Sequence, residues 1–297
     1  MPHTAEDSAE PPVAERARPL RAGWISHLSW SGWLGLTVLT VLLIVTIFGR
    51  QIAPFHEAEI VEYGGFTPPS VEYLLGTDYL GRDLLSRLLW GGQMTLMLSV
   101  SATLLAYAIG VTLGVFAAVA GGWIDVVISR INDAFLAIPN IMLGLLVIAA
   151  FGSGLLTLIC VTGVIYATGV LRIARALALD VCNLDFVGVA RSRGEGSGWI
   201  IFREILPNIM LPLASDFGIR LVYVLLFISS LSFLGLGVQP PSSDWGSMVQ
   251  ENLIGMMIGS AAPLYPALMV AAVSVSINLI VDDLSVKSGG LLAKRML

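Results

Sequence analysis

Six stretches of this 297-residue chain run for about twenty residues with almost no charge, and nothing else in the sequence constrains its fold as strongly. A soluble domain carries roughly 25% charged residues. Here the figure is 12%, with 56% hydrophobic residues and a mean hydropathy of +0.84. In the hydrocarbon of a bilayer no water bonds a free peptide group, so a spanning segment must satisfy its own backbone, and an apolar run of this length does so as an α-helix. The expected spans cover residues 29–48, 94–120, 126–151, 155–173, 209–234 and 264–280. Trp30 and Trp33 suit the interface at the start of the first. The fold class is all-α and polytopic, with six transmembrane helices.

The polar segments set the orientation. With the N-terminus inside, the segments on that side hold twelve Arg and Lys residues, from Arg16 to Arg295, and those on the other side hold three: Arg50, Arg82 and Arg87. Basic residues stay on the cytoplasmic side, so both termini are expected there. The first 22 residues are rich in Pro, Ala and charge and are expected to be a disordered tail. They do not have the pattern of a signal peptide, because acidic residues come first and no apolar core follows at the usual distance. The loop over residues 49–92 is acidic and ends in LGTDYLGRDLLSRLLWGG. There Leu80, Leu84, Leu85, Leu88 and Leu89 fall at helical spacing, which predicts a short helix over residues 80–90 along the outer membrane surface, capped by Thr77 or Asp78. The segment after the fifth span turns through Gly and Pro before Trp245 and a semi-apolar helix.

Several kinds of chemistry are missing. The sequence has no G-x-x-x-x-G-K-[ST] loop, and its only lysines are Lys287 and Lys294, so it cannot cradle ATP phosphates in the P-loop manner. It has no HExxH, no CxxC and no nucleophile elbow. His3, His27 and His56 are scattered, so no metal site is expected, and Cys160 and Cys182 are too few for a disulfide scaffold. The net charge of −5, with no basic domain, gives no reason to expect a nucleic-acid partner.

What remains is a polar interruption and a few charges. The interruption is FVGVARSRGEGSGWIIFREILPN, residues 186–208. Its small residues Ala190 and Gly194 would let a short helix press against a partner surface, Gly194, Gly196 and Gly198 allow a sharp turn, and Pro207 would start the fifth span. The plainer alternative is a solvated loop. Near the inner end of the third span, Arg130 and Asp133 are spaced i, i+3 and are expected to pair, with Asp125 close by. Asp216 and Arg220 are spaced i, i+4 inside the fifth span. At 1.5 Å per residue they lie ~12 and ~18 Å in from its inner end, near the middle of a ~30 Å core. Charges there are expensive, so the two are expected to pair and face a water-filled path, the alternative being a buried pair that fixes helix packing.

Several of these segments resemble the smaller permease subunit of the oligopeptide, dipeptide and nickel branch of bacterial ABC importers. The likeness is carried by LGTDYLGRDLLSRLLWGG, by residues 110–143 with Gly121, Gly122, Asp125, Arg130, Asp133 and Pro139, and by LSFLGLGVQPP followed by Trp245-Gly246. It extends over about residues 75–280. Three departures stand out. Gly188, Val189 and Ala190 occupy positions where that family usually has Glu-Ala-Ala, Ile228 replaces a usual glutamate, and the end reads VDDLSVKSGGLLAKRML.

The resemblance implies a type I ABC importer permease fold. It implies four regions: a cytoplasmic tail over residues 1–25; a first helix, outer loop and surface helix over 26–92; a permease core over 93–285 with its coupling loop at 174–207; and a cytoplasmic tail over 286–297. The implied location is the bacterial inner membrane. The implied partners are a second homologous permease, two cytoplasmic ATPases that bind the ATP and Mg, and a periplasmic solute-binding protein, with no cofactor in this chain. Phe186, Val187, Gly188, Val189, Ala190, Arg191, Gly194 and Pro207 would couple to the ATPase. Asp78, Arg82, Asp83 and Trp245 would lie at the periplasmic docking face, and Asp216 and Arg220 on the translocation path. The implied solute is a peptide or similar polar molecule, with nickel chelates, opines and oligosaccharides open as alternatives. A rival reading is a stand-alone ion-coupled transporter using Asp216; against it, that carboxylate has an arginine partner and no inverted repeat is evident.

Overall fold

The computed structural model describes residues 29–62 and 64–295, with only the backbone path past Asp283. The tail expected over residues 1–25 lies outside the described residues. The elements in order are α1 (Trp30–Ile47), the single turn α2 (Gly49–Ile52), α3 (Leu84–Ala120), α4 (Gly122–Leu136), α5 (Asn140–Phe151), α6 (Leu155–Cys182), α7 (Asp185–Ser192), α8 (Ser197–Ile200), a π-helical stretch (Ile201–Ile205), α9 (Leu206–Phe233), α10 (Trp245–Glu251), a 3-10 turn (Leu253–Ile258) and α11 (Leu264–Arg295). Among the described residues the only β-pairing is two isolated bridges, Ile60 with Arg82 and Thr77 with Asp83.

The centre of the bundle is the contact of α3 with α6. Gly163 lies against Leu105, Gly110 against Ala167 and Val170, and Gly114 against Leu171 and Ala174, so the two helices run parallel. Small residues let the backbones approach: a Cβ on Gly114 would sit 2.5 Å from the Leu171 carbonyl oxygen. The α9 helix packs back across this pair in the opposite direction. Its Ile209 and Leu213 share a cluster with Val115, and its Val224 and Ile228 share one with Leu98. The α11 helix completes the core through Val273, Ile277 and Val281, and α1 rests on it where Gly35 meets Ser276. Bulky apolar side chains on α1, such as Trp30 and Ile44, stay exposed, as expected of a surface that faces hydrocarbon.

Five helices are long and apolar enough to cross a membrane: Trp30–Ile47, Leu84–Ala120, Leu155–Cys182, Ser197–Phe233 and Leu264–Asp283. The remaining expected span, the third, is not one rod. Gly122–Leu136 and Asn140–Phe151 meet at 85°, with the break at Pro139. Proline has no N–H to give and pushes the residue before it out of the α region, so the helix stops there. Glycines at positive φ, Gly121 and Gly122, make the sharp turn from α3 into α4.

Three other expectations need correction. The surface helix over residues 80–90 is not a separate element. The α3 helix starts at Leu84 and runs straight into the second span, because Leu84 and Leu88 are buried against Trp245 and α11. Its cap is Asp83, which accepts from the Ser86 amide at 2.8 Å, and not Thr77 or Asp78. Pro207 falls in the first turn of α9, as expected, although the chain is already helical from Ser197 and a wider π-helical turn over Ile201–Ile205 leads into the proline. At the far end α11 continues to Arg295, through most of the stretch expected to be a tail.

The α3–α6 contact gives a direct test. Gly114→Val forces a side chain against α6 backbone, and overpacking of this kind costs about 1–3 kcal/mol. The purified chain should show a clearly lower Tm, whereas Gly154→Ala, whose methyl meets nothing closer than 3.6 Å, should not.

Candidate functional site

At the end of the bundle where α6 stops and α9 begins, α7 forms a short projecting helix. Leu184 and Asp185 open it, with the aspartate in the first turn and Arg191 in the last, both favourable to the helix dipole. Val187 and Ala190, one turn apart, are fully buried, and Val187 belongs to a cluster with Val115, Ala174, Ala178, Ile200 and Ile205. Phe186, Gly188, Val189 and Arg191 face outward, Val189 at 56% exposure. The helix ends in a Schellman turn. Gly194, at φ +83°, donates to the Arg191 carbonyl at 2.9 Å, and Glu195 donates back to the Ala190 carbonyl at 3.2 Å. Ala190 is therefore small because it docks on this chain's own core, and Gly194 is glycine because the turn needs a left-handed residue. Ala190 is thus turned away from the surface, while Gly194 is exposed in open space at the turn. The surface open to a partner includes Asp185, Phe186, Gly188, Val189, Arg191 and Gly194, and Pro207 is exposed in the first turn of α9.

The same end is braced by ion pairs across α4 and α6. The Arg175 guanidinium donates to both oxygens of Asp125, at 2.5 and 2.6 Å, and Arg172 donates to Asp133 at 3.0 Å. The expected i, i+3 partner of Asp133, Arg130, is replaced by an arginine from the neighbouring helix.

Midway along α9 the expected pair is present. The Arg220 Nε donates to Asp216 Oδ2 at 3.4 Å. The structure adds two residues that the sequence did not single out. The Tyr107 hydroxyl of α3 donates to the same carboxylate oxygen at 2.5 Å, and the guanidinium lies on Gly169 of α6, where a Cβ would come within 2.6 Å of a terminal nitrogen. A tyrosine in the middle of an apolar span was the one available signal for the first; the glycine gave none.

At the opposite end, Asp78, Arg82, Asp83 and Trp245 are all buried, Asp78 and Trp245 completely. Asp78 accepts from Arg82 at 2.7 Å and from Arg87 at 2.6 Å, and Glu251 of α10 accepts from the same two arginines. The Trp245 indole donates to the Leu88 carbonyl at 2.9 Å, and its ring fills the space left by Gly92. Asp244 caps α10 through Ser247; burial pushes its carboxyl above the usual range, and hydrogen bonds from Ser232 and Ser247 act against that. These four residues fasten the long loop and α10 onto the head of α3. They have no surface to offer, so the docking role read from the sequence does not fit them. Among the described residues no cluster of His, Cys, Asp and Glu is placed to hold a metal ion.

A bundle of apolar helices, a short helix projecting from one end and charges buried halfway along a span together define a polytopic membrane permease subunit. Over residues 110–285, more than half its length, the chain matches the family described as binding-protein-dependent transport system inner membrane component, and it belongs to that family. It is thus the permease component of a binding-protein-dependent ABC importer, a transport subunit and not an enzyme, located in the inner membrane. This displaces the stand-alone ion-coupled alternative. Such a permease works with a partner permease, an ATPase and a solute-binding protein. The chain is 34% identical over 285 residues to the glutathione transport system permease protein GsiD of Escherichia coli O6:K15:H31, covering 96% of this chain and 92% of that one. It is 33% identical over 251 residues to the protein of the same name from Pectobacterium atrosepticum, covering 84% and 83%.

The two glycines of α7 separate shape from contact. Gly194→Ala places a side chain in the left-handed region, which costs about 1–2 kcal/mol. Gly188→Ala, in open space on a helix, should stabilise by up to about 1 kcal/mol. Thermal unfolding of the purified chain should therefore move down for the first and level or up for the second.

Proposed function

We propose that this chain forms one half of the membrane pore. A second homologous permease would complete it, two cytoplasmic ATPases would bind the ATP and Mg, and a periplasmic binding protein would deliver the solute. Both termini are cytoplasmic in this reading, in keeping with the distribution of basic residues. The observation that carries it is α7: a short helix anchored by Val187 on the ends of α3, α6 and α9, with Ala190 also buried and Phe186, Gly188, Val189 and Arg191 turned outward. A push on that outward face moves the ends of α6 and α9 together, because all three share one packed cluster. Closure of the ATPases would drive this movement and switch the pore between inward and outward openings. Gly188 stands where the family usually has a glutamate, so the contact rests on Phe186, Val189 and Arg191, with Asp185 as the exposed carboxylate of α7.

The solute is a small peptide of the glutathione kind. This is supported by the names of the relatives and by a charged group placed at mid-span, where Asp216 and Arg220 would line the path. The coupling part of the reading is tested at Val189. Val189→Asp adds a charge to an exposed position that the core does not use, so the Tm should hold. Loss of one interface anchor costs about 2 kcal/mol, and ATP hydrolysis stimulated by the loaded binding protein should drop at least about tenfold. Full stimulated hydrolysis in this variant would remove α7 from the coupling path.

A further inference from the structure

The Asp216–Arg220 pair is incomplete in a way that points to a ligand. Arg220 sits midway between Leu206 and Phe233, so about 20 Å of helix separates it from either end of α9. Its Nε is spent on Asp216 at the long distance of 3.4 Å, and among the described residues neither terminal nitrogen has an acceptor. Tyr107 holds the same carboxylate oxygen of Asp216 at 2.5 Å, which keeps that oxygen in place beside Nε and away from the terminal nitrogens. Gly169 supplies the floor: any larger residue would displace the guanidinium, which lies in a cleft between α6 and α9 with the side chain 19% exposed. Tyr223 stands one turn further along the same face and is half exposed, and its carbonyl accepts from Tyr166 of α6 at 3.1 Å. The cleft is thus framed by tyrosines on two helices and floored by a glycine, with the four N–H donors of two terminal nitrogens inside it.

An arginine held at this depth with four of its five donors unused is unfavourable unless water or a ligand meets them. The free edge of a guanidinium matches a carboxylate in a bidentate fork. We propose that Arg220 binds a carboxylate of the solute partway across the membrane and makes this pore selective for peptides with a free carboxylate. Asp216 and Tyr107 are positioning residues that aim the fork, and Gly169 makes room for it. This rests on the transport reading above, and deepens it by assigning a subsite.

The test uses the assembled importer in nanodiscs, with Cys160 and Cys182 changed to alanine and Tyr223→Cys as a reporter beside the cleft. Labelling by N-ethylmaleimide is followed with S-methylglutathione, which has two carboxylates and no thiol, or with its diethyl ester, which has none. S-methylglutathione should slow labelling and the diester should not. The neutral double variant Asp216→Asn/Arg220→Gln should need a concentration about tenfold higher for the same protection, the scale of one lost charge-assisted hydrogen bond. Arg220→Lys should retain part of the effect, since it keeps the charge and loses the fork. Equal protection by the diester, undiminished protection in the double variant, or no protection in the reporter complex would each overturn the subsite. Stimulated ATP hydrolysis is recorded on the same samples. A complex that hydrolyses normally but is not protected loses only the carboxylate subsite, whereas one in which loaded binding protein fails to stimulate hydrolysis counts against the coupling reading itself.

Discussion

The close parallel contact of α3 with α6 is the constraint on which the rest of the molecule depends. Lipid gives two apolar helices no hydrophobic reason to associate, so they are held by fit, and fit at backbone distance requires small residues. Gly110, Gly114 and Gly163 provide them. Two parallel helices cannot be joined by a short turn, so the chain must return between them, and α4 and α5 make that return. With α3 and α6 locked, their ends at Ala120 and Cys182 form a fixed platform. On it rest the ion pairs of Arg172 and Arg175 and the buried side of α7.

The same frame separates the two functional regions and connects them mechanically. Ile205 and Ile209 belong to the cluster that holds Val187, and Leu213 of that cluster is three residues before Asp216. The Tyr107 hydroxyl lies 3.4 Å from the Leu213 carbonyl and 2.5 Å from Asp216. A displacement of α7 therefore has a short packed route to the charges at mid-span, through one face of α9 and the tyrosine of α3. At the other end, the buried Asp78, Arg82, Arg87 and Glu251 form a neutral set of two acids and two bases, tying the long loop to α10 and making that end the stiff one. Removing one member would leave a buried charge unpaired, which is far more damaging than never having built the set.

Much of this was readable beforehand. The number and placement of the spans follow from apolar length alone, because the bilayer permits few other solutions. The pair Asp216–Arg220 was readable because i, i+4 spacing on a helix is a local fact. The break in the third span was written in Ile138-Pro139, yet apolar length outweighed it in the reading. The role of Ala190 was also within reach, since Val187 and Ala190 share a helical face, but a polar neighbourhood drew attention to its outer side. What was not legible is what depends on distant residues. Asp78 and Arg82 look like surface charges until Glu251, about 170 positions later, closes over them. Trp245 looks like a docking residue until Gly92 opens a slot for its ring. Tyr107 and Gly169 acquire meaning only when three helices meet.

The account turns on α7 being the part of this chain that a partner ATPase grips, and cross-linking measures that most directly. A cysteine at Val189 and another at Val71, which is 99% exposed at the opposite end, are each treated in the assembled importer with a short bifunctional maleimide. The account predicts that Val189→Cys links to an ATPase subunit and arrests hydrolysis, while Val71→Cys links to no ATPase subunit. A link from Val71→Cys to the ATPase, or none from Val189→Cys in a complex that still hydrolyses ATP, would contradict it.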